Sequence, residues 1–197
     1  MKNTIVKAVM AIAVIAAANT ASNAQMTHGP VAGLNLANVG GDDAENNSMR
    51  ISFHIGYGVG FNLTDNISLN PQLLYSSKGA KYDAGDEDAP LSLNYIELPI
   101  WGRYNLESGL HFDFGPYIGF LMSAKYDGES EFPGGEKVKD NYTGTDFGVG
   151  FGLGYELESG LGFAANYNLG LSNIADYEGG DLKNNLIKIS LSYTLGK

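Results

Sequence analysis

Large apolar residues recur at every second position through most of this chain. The pattern is clearest over residues 146–157, where Phe147, Val149, Phe151, Leu153, Tyr155 and Leu157 alternate with Gly148, Gly150, Gly152 and Gly154. A period of two is that of a β-strand, whose successive side chains point to opposite faces. A strand half exposed to water would carry Lys, Glu or Thr on its second face, because glycine leaves nothing there to pack. A bare glycine face suits the inside of a narrow barrel crowded by its neighbours, and the large apolar face must then meet something other than water.

The same scheme predicts seven more strands: 31–38, 49–61, 67–77, 92–106, 110–122, 161–171 and 187–195. In the second, Ile51, Phe53, Ile55, Tyr57, Val59 and Phe61 oppose Ser52, His54, Gly56, Gly58 and Gly60; in the last, Ile187, Ile189, Leu191, Tyr193 and Leu195 oppose Lys188, Ser190, Ser192 and Thr194. Pro71 has no N–H for a ladder, so a bulge or a local break in pairing is expected there. The connections alternate long and short, two of the short ones being Glu107-Ser108-Gly109 and Glu158-Ser159-Gly160. Transmembrane barrels alternate in this way, with short periplasmic turns and long outer loops. The predicted fold is therefore all-β, an eight-stranded antiparallel up-and-down transmembrane β-barrel with both termini in the periplasm. Phe61, Tyr104, Phe112, Tyr155, Phe163 and Tyr193 fall near the short-turn ends, and Phe53, Tyr75, Phe120 and Phe147 toward the loop ends, as two interfacial aromatic belts would. A soluble lipocalin-type barrel would place its apolar face inside, and the Gly, Ser and Asn of the second face argue against it.

Composition adds compartment and excludes some functions. Lys2 and Lys7, the apolar run Ala8 to Ala18 and Ser22-Asn23-Ala24 form a secretory leader, with cleavage expected after Ala24. The division is thus a signal peptide at 1–24 and an outer-membrane barrel at 25–197. The 12 basic and 22 acidic residues argue against a nucleic-acid partner, and 15 of the 22 acids fall in the four long connections. With no cysteine, the chain is neither a lipoprotein nor disulfide-stapled. The expected surroundings are outer-membrane lipid, the expected state a monomer, and no cofactor is implied.

Luminal positions carry the candidate site, a charge cluster of Glu97, Arg103, His111, Asp113 and Glu156. In the simplest register of the hairpin about Glu107, Arg103 opposes His111 with Asp113 on the diagonal. Such a cluster either filters ions or small solutes or fills the bore as a salt-bridged plug, the interior of eight strands being only just wide enough for side chains. Catalysis is not expected. His111 with Asp113, and Ser52 with His54, share strand faces but diverge, and no Gly-x-Ser-x-Gly element is present. No metal site is expected either. Asp83-Ala84-Gly85-Asp86-Glu87-Asp88 offers oxygen ligands without the spacing of a calcium loop.

The stretches Ala32-Gly33-Leu34-Asn35-Leu36-Ala37-Asn38, Pro71-Gln72-Leu73-Leu74-Tyr75-Ser76-Ser77-Lys78-Gly79 and Tyr95-Ile96-Glu97-Leu98-Pro99 resemble the small outer-membrane β-barrel family described as porin-family or PorT-like proteins. The resemblance implies an outer-membrane barrel of a didermal bacterium and assigns no activity. Unlike many outer-membrane barrels, the chain does not end on an aromatic residue but on Tyr193-Thr194-Leu195-Gly196-Lys197. The expected role is porin-like, with passive narrow permeation; the alternative is a closed structural or adhesive barrel whose acidic outer loops bind a partner.

Overall fold

The alternating strands close on themselves. The computed structural model describes residues 26–41, 44, 47–83, 88–133 and 135–196. The leader expected at 1–24 and the loop acids Asp42, Asp43, Glu45, Asp86 and Glu87 lie outside the described residues. Eight strands form the wall: β1 (Met26–Gly40), β2 (Arg50–Asn62), β3 (Ile67–Asp83), β4 (Asp88–Asn105), β5 (Leu110–Tyr126), β6 (Thr145–Glu156), β7 (Leu161–Gly170) and β8 (Lys183–Tyr193). Each pairs antiparallel with the next. The seam is sealed by β1 against β8, from Val31 opposite Ser192 to Gly40 opposite Lys183. Closure leaves no open sheet edge, the condition under which strands can cross lipid. A two-residue piece, Asn47–Ser48, lies beside Tyr82 and Lys81.

The two faces have the polarity expected of a membrane barrel. Outside, Ile51, Phe114 and Leu73 are 68 %, 65 % and 58 % exposed, within a band that also holds Phe53, Ile55, Phe112, Phe151, Leu153, Phe163 and Leu191. So much contiguous apolar surface is foreign to a water-soluble monomer. Inside, Asn35, His54, Ser76, Glu97, His111, Asp113, Asn166, Asn168 and Lys188 are buried. The glycine face of β6 gives its space to large residues of β4 and β5. A methyl group on Gly150 would lie 2.6 Å from the Trp101 ring, and one on Gly148 would lie 2.8 Å from the ring of Tyr117.

Several boundaries differ from the sequence reading, each for a local reason. β1 starts at Met26 rather than Val31. Gly29 and Pro30 do not break it, because only the β1–β8 ladder lapses there, and it resumes at His28 opposite Leu195. β3, β4 and β5 run to 17, 18 and 17 residues and project beyond the rest. The polar stretch after Ser77, read as loop, is paired strand, with Lys78 opposite Leu93, Ala80 opposite Leu91 and Tyr82 opposite Ala89. At Pro71 the β2–β3 ladder lapses between Gly58–Gln72 and Phe61–Leu69 without a change of register. Phe61, placed by the sequence in the exposed belt, is buried, flanked in register by Met26 and Leu69.

The hairpin register is also corrected. Arg103 stands directly opposite Asp113, and His111 opposite Asn105. Gly109 adopts a φ of 89°, which only glycine enters freely, and the turn is centred on Ser108 rather than Glu107. Gly160 repeats that conformation, also with φ 89°, in the second Glu-Ser-Gly turn.

Gly150→Leu tests the crowding. We expect it to destabilise the barrel by about 1–3 kcal/mol, the usual cost of overpacking, read as a lower urea midpoint of the heat-modifiable folded band. Leu153→Val, on the outer face of the same strand, should leave that midpoint almost unchanged.

Candidate functional site: the lumen and its two ends

Across the middle of the bore runs a chain of alternating charge. Asp146 of β6 accepts from Lys78 of β3 at 2.9 Å, Lys78 reaches Glu97 of β4 at 2.6 Å, and Glu97 in turn binds Lys188 of β8. All four side chains are almost fully excluded from solvent. The luminal parity of each strand delivers them: Lys78 follows Leu74 and Ser76, Glu97 follows Tyr95, and Lys188 follows Leu186 on inward positions. Lys78 Nζ also sits 4.3 Å from the centroid of the Tyr117 ring and 5.2 Å from that of Tyr95. Asn184 Nδ2 donates to Asp146 at 3.0 Å and to Tyr95 OH at 3.3 Å, and Ser172 Oγ donates to the other Asp146 oxygen at 3.2 Å. Two cations and two anions leave this level neutral.

Nearer the short turns lies a second pair. Arg103 grips Asp113 with two hydrogen bonds, Nε to Oδ1 at 2.7 Å and Nη2 to Oδ2 at 3.1 Å. This fork geometry is favoured between guanidinium and carboxylate. His111 Nε2 lies 3.8 Å from the same carboxylate. Below them the barrel opens into a polar mouth of about 730 Å³, lined by Arg103, Asn70, Ser68, Asn105, Thr194 and Glu156 among others. Glu156 accepts from Thr194 Oγ1 at 2.8 Å.

The opposite end is closed by an apolar core. Ala80, Leu91, Leu93, Leu121 and Ala124 of the projecting strands, with Val39 of β1, meet Val138, Ile174, Ala175 and Leu182 from the long connections. A 3₁₀ turn, Val138–Asn141, inserts Val138, and Tyr142 bridges to Ala175. Burial, then neighbouring tyrosines, push the Tyr142 phenol above its ordinary pKa, so it stays neutral over this core.

The predicted cluster therefore divides in three. Arg103, Asp113 and His111 come together, Glu156 stands at the mouth, and Glu97 belongs to the separate level above. The sequence reading missed Lys78, which it left in a loop, and Asp146, which it noted only as the start of a strand. Lys188 was placed correctly on the luminal face without a partner. Ser52 does not meet His54; its hydroxyl donates to the Ser77 carbonyl at 2.7 Å.

Fold, outer apolar band and filled polar lumen together define a transmembrane β-barrel. The chain belongs to the family described as outer membrane protein beta-barrel domain, whose profile matches residues 7–194, and it is accordingly a protein of the outer membrane of a didermal bacterium. No curated protein matches the sequence significantly. Among solved structures, Ail, the attachment invasion locus protein of Yersinia pestis, is similar at 13 % identity, with 87 % of this chain and 99 % of that one covered and a TM-score of 0.53. Ail in complex with the heparin analogue sucrose octasulfate aligns at 12 % identity over the same shares with a TM-score of 0.55. Neisserial surface protein A aligns at 12 % identity over 86 % of this chain and 96 % of its own, with a TM-score of 0.56. At these identities the likeness is one of fold.

Glu97→Ala would leave two buried ammonium groups short of a partner. We expect it to cost about 3–5 kcal/mol, as breaking a buried ion pair does. Arg103→Ala, at the wetter level near the mouth, should cost clearly less. Urea titration of the two refolded variants compares them.

Proposed function

We propose that this barrel is closed to solutes and serves as a surface platform, its projecting β3–β5 sheet and outer connections being the part that meets partners. The observation that carries this reading is the Asp146–Lys78–Glu97–Lys188 chain, which occupies the bore together with Tyr95 and Tyr117. The apolar core over the outer end supports it further. The luminal charges then act as a plug and strut rather than as a filter. We read the protein as a monomer whose outer band contacts lipid, and no catalytic step is needed for this role.

The charge of the outer end narrows the partner. Asp127, Glu129, Glu131, Glu136, Asp140, Asp176 and Glu178 are exposed there, which favours a cationic partner surface and disfavours a polyanion. The second reading, passive permeation, draws on the wide mouth on the short-turn side.

Single-channel recording decides between them. The refolded chain from Gln25 onward, shown to be folded by heat-modifiable mobility, should give no unitary current in a planar bilayer. Arg103→Ala should also be silent, since the mid-bore chain is intact in it. Stable conductance steps from the parent would overturn the closed reading in favour of permeation.

A further inference from the structure

Three strands meet at one polar point in the lumen. His54 of β2 stands between Asn35 of β1 and Ser190 of β8, with Nδ1 2.8 Å from Asn35 Oδ1 and Nε2 3.0 Å from Ser190 Oγ. Register explains the meeting. Gly33 of β1 is paired with His54 on one side and with Ser190 on the other. Because Gly33 has no side chain, the imidazole reaches across it; a methyl group there would lie 2.7 Å from His54 Cε1.

Hydrogen bonding fixes the direction of this relay. Asn35 Nδ2 donates to the Ser77 carbonyl at 2.8 Å and faces the Phe53 carbonyl and Ser76 Oγ, each at 3.2 Å. Carbonyl oxygens accept only, so the amide nitrogen must face them and Oδ1 must face His54. His54 then carries its proton on Nδ1, leaving Nε2 as an acceptor, and the Ser190 hydroxyl donates to it. A hydroxyl bonded to a base that a third group orients is the geometry of an activated nucleophile.

Ser190 also faces space. It lines a cavity of about 20 Å³ with Arg103, Asn166, Lys188 and Ser192. That cavity shares Arg103 and Ser192 with a second one of about 50 Å³, which shares Thr27, Asn70 and Glu156 with the open mouth. Asn166 Nδ2 is buried on the first cavity's wall with no hydrogen-bond partner among the described residues. It is a spare donor in the lining of the same cavity as the Ser190 hydroxyl.

We propose that Ser190 is a nucleophile activated by His54, with Asn35 as positioning residue, approached from the periplasmic mouth by small activated acyl compounds. The Ser190 oxygen bonds to the carbonyl carbon while its proton passes to His54 Nε2. The bond to the leaving alcohol or phenol then breaks, and the leaving oxygen takes that proton. An acyl-serine and a free alcohol result, and water reverses the first half to release the acid. This site is independent of the platform reading and of whether the bore conducts.

Methanesulfonyl fluoride tests the site, since its small group mimics an acyl donor. The Ser190 oxygen bonds to sulfur, fluoride leaves, and the hydroxyl proton passes through His54 to solvent. Intact mass and peptide mapping of the folded barrel should show one methylsulfonyl group, on Ser190. Ser190→Ala should abolish it, Ser159→Ala in the second Glu-Ser-Gly turn should leave it, and His54→Gln should slow it by roughly 100-fold or more, the scale of general-base assistance. No adduct in the folded parent, or labelling indifferent to His54→Gln, would overturn the proposal. If His54→Gln does not fold, nitrogen NMR of the parent decides: a proton on His54 Nδ1 with Nε2 bare supports the relay, and the opposite tautomer overturns it.

Discussion

Crowding in the bore is the constraint on which the rest of this structure depends. Eight strands enclose an interior that side chains only just fill, so each level has room for a large residue only where its neighbours are small. Trp101 lies against Gly150, Tyr117 against Gly148, Tyr95 against Gly119 and His54 against Gly33. The glycines of β6 are thus the complement of the aromatic residues on β4 and β5. The resulting interior is polar in composition yet nearly free of solvent at its centre.

That lack of solvent dictates the order of charges. An ammonium or carboxylate buried without a partner is far too costly to keep. Asp146, Lys78, Glu97 and Lys188 answer this by alternating in sign along one line across four strands, so that each inner member has two opposite neighbours. A slip of one residue in any of these strands would turn its charge outward to lipid. The chain therefore specifies register between strands far apart in sequence, whatever its net contribution to stability.

The strands themselves were legible because a period of two survives in nearly every one of them, and the polarity of the two faces identified the barrel as membranous. What could not be read was how strands are staggered around the wall. Gly109 enters a left-handed conformation and moves Arg103 from His111 to Asp113. Lys78 was hidden because Lys78, Gly79, Lys81 and Asp83 look like a loop, and only pairing with β4 reveals a strand. Lys188 was seen on the correct face, but its meeting with Glu97 requires the closed circuit. Likewise nothing in the spacing of Asn35, His54 and Ser190 announces that Gly33 lies between two of them.

The core above the outer end has a different physical origin from the wall beneath it. Leu91, Leu93, Leu121, Val138, Ile174 and Leu182 are gathered by water, as in a soluble domain, whereas the band around Ile55 and Phe114 is satisfied by hydrocarbon. One chain therefore holds two regions with opposite solvent requirements. The upper core should show the curved temperature response of hydrophobic burial, while the wall follows the thickness and fluidity of its bilayer. Mild denaturant could then loosen the outer end as a separate cooperative unit while the strands below remain threaded through the membrane.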